Sequence, residues 1–180
     1  MTSYLADTPT LTTVRLTLRA PVLEDFDAAE RFYATDRSEF VGGPCDQGQA
    51  WRIYGHVVGM WALKGFGMFV FCEKGSLAPL GLAGPWEPAD WPEPEIGWSV
   101  WEPEAEGRGY AAEAALAARG FAYEVLGWPS AVSYVDASNT RSAALARRMG
   151  AVLDPDAPRP PTLSGDPIDV YRHPAPGGGQ

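Results

Sequence analysis

Hydrophobic and polar residues alternate most clearly along residues 95–101, and this alternation predicts a β-strand. One face of the strand carries Ile96, Trp98 and Val100. The other face carries Glu95, Gly97, Ser99 and Trp101. A loop over residues 102–109 contains two glycines, Gly107 and Gly109. The small and apolar residues that follow at helical spacing predict a helix ending near Gly127. They are Ala111, Ala114, Ala118, Phe121 and Val125.

The rest of the pattern predicts five further strands and three further helices. The strands are expected over residues 14–19, 67–74, 80–84, 131–136 and 168–172. The helices are expected over residues 21–34, 49–63 and 139–149, with Ser138 as the N-cap of the last. Residues 36–48 and 85–94 are expected to form loops, because proline argues against a central strand in the second stretch. This order predicts an α/β fold of the α+β type, with a mixed, mainly antiparallel sheet flanked by helices.

The helix over residues 49–63 contains two glycines four residues apart, Gly55 and Gly59. Such a pair permits close approach by another segment, and either core packing or a substrate groove would explain it. The face of this helix that we expect to be buried carries Trp51, Tyr54, Val58 and Trp61. We expect one domain over residues 1–180, with its core over residues 11–172 and flexible ends over 1–10 and 174–180.

The strand, the glycine loop and the helix start together favour an anion site. A helix N-terminus presents unpaired backbone N–H groups and the positive end of the helix dipole, which suit a phosphate or a pyrophosphate. The simpler alternative is a tight loop before an amphipathic helix. The dinucleotide fingerprint is excluded because Ala112 stands at its third glycine, and the chain has no Gly-Lys-Ser/Thr of a Walker loop.

The run EIGWSVWEPEAEGRGYAAEA resembles the acetyl-coenzyme A loop of the GNAT acyltransferase superfamily, Gln/Arg-x-x-Gly-x-Gly/Ala. The segment from Asn139 to Ser142, followed by RRMG at residues 147–150, resembles the family's Asn-x-x-Ser/Ala helix and its closing glycine. With the opening LTTVRLTLRAPVLEDFDA, the resemblance covers residues 11–172 and is to the ribosomal-protein alanine N-acetyltransferase-like branch. It implies a GNAT-like fold whose sheet is splayed at a cofactor cleft. The first loop position is Glu104 in place of Gln or Arg, and Glu106 adds a second carboxylate. Both are unfavourable for an anionic ligand, and Arg108 would offset them.

The resemblance also implies which residues hold acetyl-coenzyme A. The phosphate loop would consist of Glu106, Gly107, Arg108, Gly109, Tyr110 and Ala111. The pantetheine arm would pair with the backbone of Ser99, Val100 and Trp101, and an N–H near Val100 would polarise the thioester carbonyl. Asn139 and Ser142 would contact the arm from the following helix.

Two residues are candidates for catalysis and two for acceptor binding. Glu95 is the candidate general base, with a structural role on the strand as the alternative. Ser142 is the candidate proton donor to the thiol, or a residue chosen for its small size, and the family's acid tyrosine would fall on Ala146. Trp86 and Trp91 would cage a cationic amine if exposed, or would hold the loop over residues 85–94 in place.

Composition narrows the class of partner. The 180 residues carry a formal net charge of −9, which argues against nucleic-acid and anionic-membrane binding. Cys45, Cys72, His56 and His173 lack metal-site spacing, so no metal is expected. No signal peptide or transmembrane run is recognised, and a cytoplasmic protein with reduced cysteines is expected. A homodimer is common among proteins that resemble this one.

These observations favour acetyl-coenzyme A-dependent N-acetyltransfer to a primary amine, by direct attack in a ternary complex. The amine would be a protein N-terminus or a small amine. Two alternatives remain open: a catalytically silent acyl-coenzyme A-binding or regulatory module, and a protein-interaction domain that uses the Trp–Pro loop.

Overall fold

The protein forms one eight-stranded sheet, in the order β1-β2-β3-β4-β5-β6-β8-β7. The computed structural model describes residues 8–160 and 167–177. The strands are β1 Leu11–Thr12, β2 Leu16–Arg19, β3 Phe69–Glu73, β4 Gly81–Trp86, β5 Glu95–Val100, β6 Val132–Asp136, β7 Val152–Leu153 and β8 Ile168–Arg172. All neighbouring strands are antiparallel except β5 and β6. The prediction of a mixed, mainly antiparallel sheet flanked by helices is confirmed.

In the described part of the chain, four α-helices cover the sheet: α1 Phe26–Tyr33, α2 Gln47–Lys64, α3 Tyr110–Glu124 and α4 Thr140–Arg148. The alanine-rich α3 packs on one face of the sheet, where it joins Phe69, Phe71 and Ile96 in a common core. The helices α1 and α2 pack mainly on the other face, against Val70 and Leu82. Because successive strand residues point to opposite faces, the apolar β3 serves both cores.

The sheet opens between its two parallel strands. The pairing of β5 with β6 consists of one register position, Glu95 with Val132. One residue further along, the Ser133 hydroxyl donates to the Ile96 carbonyl over 2.6 Å. Beyond this point β5 and β6 have no paired residues. The expected splay is therefore present, and it opens in the direction in which β5 leads to the glycine loop. We call this opening between β5 and β6 the cleft.

Several predicted element boundaries were wrong. The short strands β1 and β7 were not expected, and a 3-10 helix, Asp36–Val41, occupies part of the predicted loop over residues 36–48. Strand β4 continues through Pro85 to Trp86, although proline was taken to exclude a strand there. The pairing of β4 with β3 ends at Ala83, so Pro85 has a strand partner on one side only.

The buried face of α2 was predicted correctly at Tyr54 and Trp61 and wrongly at Trp51, while Val58 is partly buried. The buried residues are Ala50, Tyr54, Val57, Met60 and Trp61, whereas Trp51 is 52% exposed. A Cβ added at Gly55 or Gly59 would meet no atom within 4 Å, so core packing does not explain these glycines.

Two smaller predictions near the helix ends were also wrong. Val125 lies just beyond α3 and is 69% exposed. Asn139, and not Ser138, is the N-cap of α4. At the C-terminal end Pro174 accepts a hydrogen bond from the Tyr123 hydroxyl, so the predicted flexible segment is anchored at its start. Residues 1–7 and 178–180 of the predicted flexible ends lie outside the described residues.

Candidate functional site

The glycine loop ends at the N-terminus of helix α3, which has no side-chain cap. Gly107 and Gly109 have φ of +71° and +79°, a left-handed region that side chains disfavour. Gly109 is the N-cap of α3 and offers no side chain to its first turn. The first N–H groups of a helix have no intrahelical partner, so they are free to bind an anion here. The loop therefore fits a pyrophosphate through backbone donors, as the resemblance implies.

Two guanidinium groups lie close to the Tyr110 ring at the start of α3. The Arg15 and Arg108 guanidinium carbons lie 4.6 and 4.7 Å from the ring centroid. Arg15 also donates to the Arg108 carbonyl over 2.8 Å and to Glu113 over 2.6 Å, which ties the segment before β2 to the loop. The Tyr110 hydroxyl donates to Glu73. Sequence analysis did not identify Arg15, because it lies more than ninety positions from the loop that it supports.

The carboxylate of Glu106 is held between two arginines. Arg37 donates to Glu106 Oε1 from Nε and from Nη2, over 2.8 and 2.6 Å. Arg141 donates to Oε2 over 2.9 Å. Burial acts to raise the pKa of Glu106, but the hydrogen bonds and charges of Arg37 and Arg141 outweigh it and hold the pKa below its usual range. Glu104, by contrast, is exposed.

The backbone of β5 presents alternate peptide groups to the cleft. The Trp101 N–H donates to Leu80 O over 2.7 Å on the β4 side, whereas the Ile96 carbonyl accepts from Ser133 on the β6 side. Alternation along the strand therefore turns the backbone N–H and C=O groups of Val100 toward the cleft and those of Ser99 toward β4. Of the three residues expected to pair with the pantetheine arm, Val100 is the one whose N–H faces the cleft.

The opposite wall of the cleft is the start of α4. The Asn139 side chain accepts from the Ser142 N–H over 3.0 Å and so caps the helix. The Ser142 hydroxyl accepts from the Trp98 indole N–H over 3.3 Å, which brings it to the edge of β5. Ala146, at the position of the missing tyrosine, is fully buried in a small apolar cluster. Ser142 therefore presents a hydroxyl group on this wall of the cleft.

Glu95 lies at the closed end of the cleft and is 8% exposed. Burial raises its pKa to about 7, and the Trp91 indole N–H, which donates to Oε2 over 2.6 Å, opposes that rise. A carboxyl group with this pKa exchanges its proton near neutral pH, as a general base requires.

The two candidate acceptor tryptophans lie beside Glu95, and both are half-buried, not exposed as the cage required. Trp86 is the cross-strand partner of Glu95 and packs against His56 in a tilted arrangement, with ring centroids 4.6 Å apart. Trp91 packs edge-to-face on Tyr134, at 6.3 Å. The structure thus brings together Glu95, Trp86 and Trp91, while the tryptophans also hold the loop in place.

A buried polar network supports the point where the sheet opens. The hydroxyl of Ser133 already donates to Ile96, so it accepts from His173 Nε2, 2.9 Å away. The other ring nitrogen then accepts from Arg119 Nη1 over 3.1 Å. Burial, with the Arg119 charge, lowers the pKa of His173 to about 3. The sequence analysis missed this network, since its members come from α3, β6 and the segment after β8.

The described part of the chain shows two further negative findings. Its His, Cys, Asp and Glu side chains form no group of three or more with the geometry of a metal site. None of the helices in residues 8–160 and 167–177 has the length and hydropathy needed to cross a membrane.

A splayed sheet with a glycine loop at a helix N-terminus is the arrangement that the resemblance to the GNAT superfamily implies. The sequence model of the GNAT acetyltransferase domain matches residues 15–152. The chain belongs to the GNAT acetyltransferase family, whose cofactor is acetyl-coenzyme A, and is an N-acetyltransferase. The resemblance found in the sequence is confirmed at the level of the family.

Solved structures agree with this assignment. An acetyltransferase from Agrobacterium tumefaciens is 43% identical, with a TM-score of 0.83 over 92% of this chain and 94% of that one. A GNAT-family acetyltransferase from Bacillus anthracis is 17% identical, with a TM-score of 0.72 over 92% and 96%. RimL, a ribosomal alpha-N-protein acetyltransferase in complex with coenzyme A, is 18% identical, with a TM-score of 0.69 over 92% and 96%. The last two show the fold alone.

Proposed function

We propose that the protein acetylates a primary amine by direct attack, with Glu95 as the general base. The observation that carries this proposal is the buried Glu95 carboxyl group, with a pKa of about 7, at the closed end of the splay. A nitrogen that gains an acetyl group must lose a proton. Glu95 is placed to accept it, directly or through a water.

The other parts of the site have separate roles. Bound acetyl-coenzyme A supplies the activated acetyl group as a thioester. The loop from Glu106 to Ala111 would hold its pyrophosphate through backbone N–H groups. The Val100 N–H, which faces the cleft, would donate to the carbonyl oxygen as negative charge develops there, a contribution of about 3–4 kcal/mol for such donors. Asn139 holds Ser142 in place. Ser142 would pass a proton to the thiolate that leaves when the C–S bond breaks.

The acceptor is proposed from the chemistry around Glu95. Trp86 and Trp91 offer ring faces, and the acidic chain attracts cations, so an amine that arrives protonated is favoured. A protein N-terminus and a small amine both meet this description. The similarity to RimL is one of fold, so it does not distinguish a protein N-terminus from a small amine as the acceptor.

The test is thiol release from acetyl-coenzyme A across matched amines. The panel would contain peptides with a free N-terminus, the same peptides with a blocked N-terminus and an internal lysine, polyamines and aminoglycosides. We expect one class to accelerate thiol release and to gain the mass of an acetyl group, and we expect Glu95→Gln to lose this acceleration. Tight coenzyme A binding with no acceleration by any amine would favour the silent binding module instead.

A further inference from the structure

The guanidinium of Arg37 contacts both the end of β5 and the glycine loop, which lie more than sixty positions away in the sequence. Arg37 belongs to the 3-10 helix Asp36–Val41, between α1 and α2. Its Nη1 donates to Trp101 O over 2.7 Å and its Nη2 donates to Val100 O over 2.9 Å. The same side chain holds Glu106 at the start of the glycine loop. One residue thus fixes the end of β5 relative to the loop that follows it.

These contacts need an arginine. A guanidinium carries five donors in a rigid planar fork, so it can serve two carbonyls and one carboxylate at once. The side chain is 25% exposed, and its guanidinium lies 5.4 Å from the Phe32 ring centroid, which limits its freedom. Hydrogen bonds of this charge-assisted kind are roughly twice as strong as neutral ones.

The Glu106 carboxylate creates an electrostatic problem that Arg37 resolves. A carboxylate in a loop that binds a pyrophosphate repels the ligand unless a cation compensates it. Arg141 alone would compensate poorly, because its side chain is 74% exposed and its contact with Glu106 is screened by solvent. Arg37 is much less exposed and makes two hydrogen bonds to Oε1. With both arginines, the cluster of three side chains presents a net positive charge to the cleft.

We propose that Arg37 is a positioning residue of the acetyl-coenzyme A site. It holds the end of β5 and the glycine loop in fixed relation and cancels the Glu106 charge that would oppose the cofactor's phosphates. This inference rests on the proposed location of the cofactor in the cleft. It assigns a role in cofactor binding to the α1–α2 connection, which contributes none of the motif residues.

The test measures coenzyme A binding by calorimetry for the wild type, Arg37→Gln, and Arg37→Gln combined with Glu106→Gln. Arg37→Gln should weaken binding about tenfold, because the carboxylate is uncompensated and the loop is freed. Adding Glu106→Gln should recover at least about threefold, since it removes the repelling charge. Arg31→Gln is the matched control, because Arg31 makes one exposed contact with Glu102 at 3.0 Å, and its affinity should stay within about twofold.

The recovery separates positioning from a merely structural role. A structural arginine would lower thermal stability in Arg37→Gln, and Glu106→Gln would then restore no affinity. If Arg37→Gln does not fold, Arg37→Lys replaces it in the same comparison, because an ammonium keeps the charge but lacks the fork. Wild-type affinity in folded Arg37→Gln would overturn the inference and leave the proposed function standing. Failure of the wild type itself to bind coenzyme A would overturn both.

Discussion

Trp91 donates its indole N–H to Glu95 Oε2 over 2.6 Å, just before β5 begins. The bond orients a carboxyl group that is otherwise surrounded by the protein interior. Burial favours the protonated form of Glu95 and the indole N–H favours the ionised form, and the balance leaves its pKa at about 7. The pair therefore sets the proton affinity of the group that we assign as the base.

Replacing Glu95 by Gln should lower kcat/KM by about 10²- to 10⁴-fold, the usual contribution of a general base. The wild type should gain activity as the pH rises through about 7, because the carboxylate is the active form. Glu95→Gln should lose that ascending limb. Asp90→Asn, a change of the same kind at an exposed position of the neighbouring loop, should keep it. A full ascending limb in the Glu95→Gln variant would assign the base elsewhere.

Trp91→Phe removes the indole donor and keeps an aromatic ring. Because the hydrogen bond favours ionised Glu95, its loss should raise the carboxyl pKa. The ascending limb should move to higher pH by up to about 1 unit, which corresponds to about 1.4 kcal/mol. Trp51→Phe serves as the control, since Trp51 is 52% exposed on α2. The pH dependence of kcat/KM checks this, and an unmoved limb in Trp91→Phe would contradict it.

The His173 network should make the protein sensitive to acid. The folded-state pKa of His173 is lowered to about 3, and an unfolded histidine titrates near 6.5. Between these values the unfolded chain binds the extra proton, so stability falls as the pH falls. This residue should contribute up to about 1.4 kcal/mol of lost stability per pH unit over that range. Above about pH 6.5 its contribution should be constant.

Denaturant unfolding at pH 7, 5.5 and 4 would check this for the wild type and His173→Gln. The variant should be less stable at pH 7, because Ser133 and Arg119 lose their shared partner. The gap should narrow as the pH falls, since the variant cannot take up the proton. His56→Gln is the control and should keep the wild-type acid response. A constant gap between wild type and His173→Gln would contradict the assignment.

The sequence was informative where the signal is local. The alternation over residues 95–101 and the glycine loop placed β5 and the start of α3 correctly, because strand and helix periods are written in neighbouring residues. The short β7 carries no such signal, since it exists only by pairing with β8. Pro85 was misleading for the same reason. Proline lacks a backbone N–H, and a strand tolerates this loss where no neighbouring strand pairs at that position, as beyond Ala83 on the β3 side.

The candidate site divides in the same way. Glu95 was proposed from its place on the cofactor strand and Ser142 from the Asn-x-x-Ser motif. Their hydrogen bonds with Trp91 and Trp98 are observed, and their catalytic roles stay predictions. Arg37 and Arg15 were missed, because each acts on a loop more than sixty positions away and has no pattern of its own. Side chains that stabilise a motif from a distance are visible only when the fold brings them together.

Gly109→Asp tests the location of the cofactor directly. The substitution places a side chain at a φ of +79°, at the N-cap of α3, and adds a carboxylate at the proposed anion site. Steric exclusion and like charge both oppose binding, so coenzyme A affinity should fall at least about tenfold, equal to about 1.4 kcal/mol. Glu104→Gln, which changes an exposed side chain of the same loop, should leave binding equal or slightly tighter.

Gly127→Asp is the matched control for Gly109→Asp. Gly127 also has a left-handed φ, of +71°, but it lies beyond the other end of α3. The 15-residue helix between the two positions is about 22 Å long. Both variants carry similar backbone strain and the same added charge. Calorimetry should therefore show weakened coenzyme A binding in Gly109→Asp alone, and equal affinities in the two folded variants would mean that the cofactor binds away from the glycine loop.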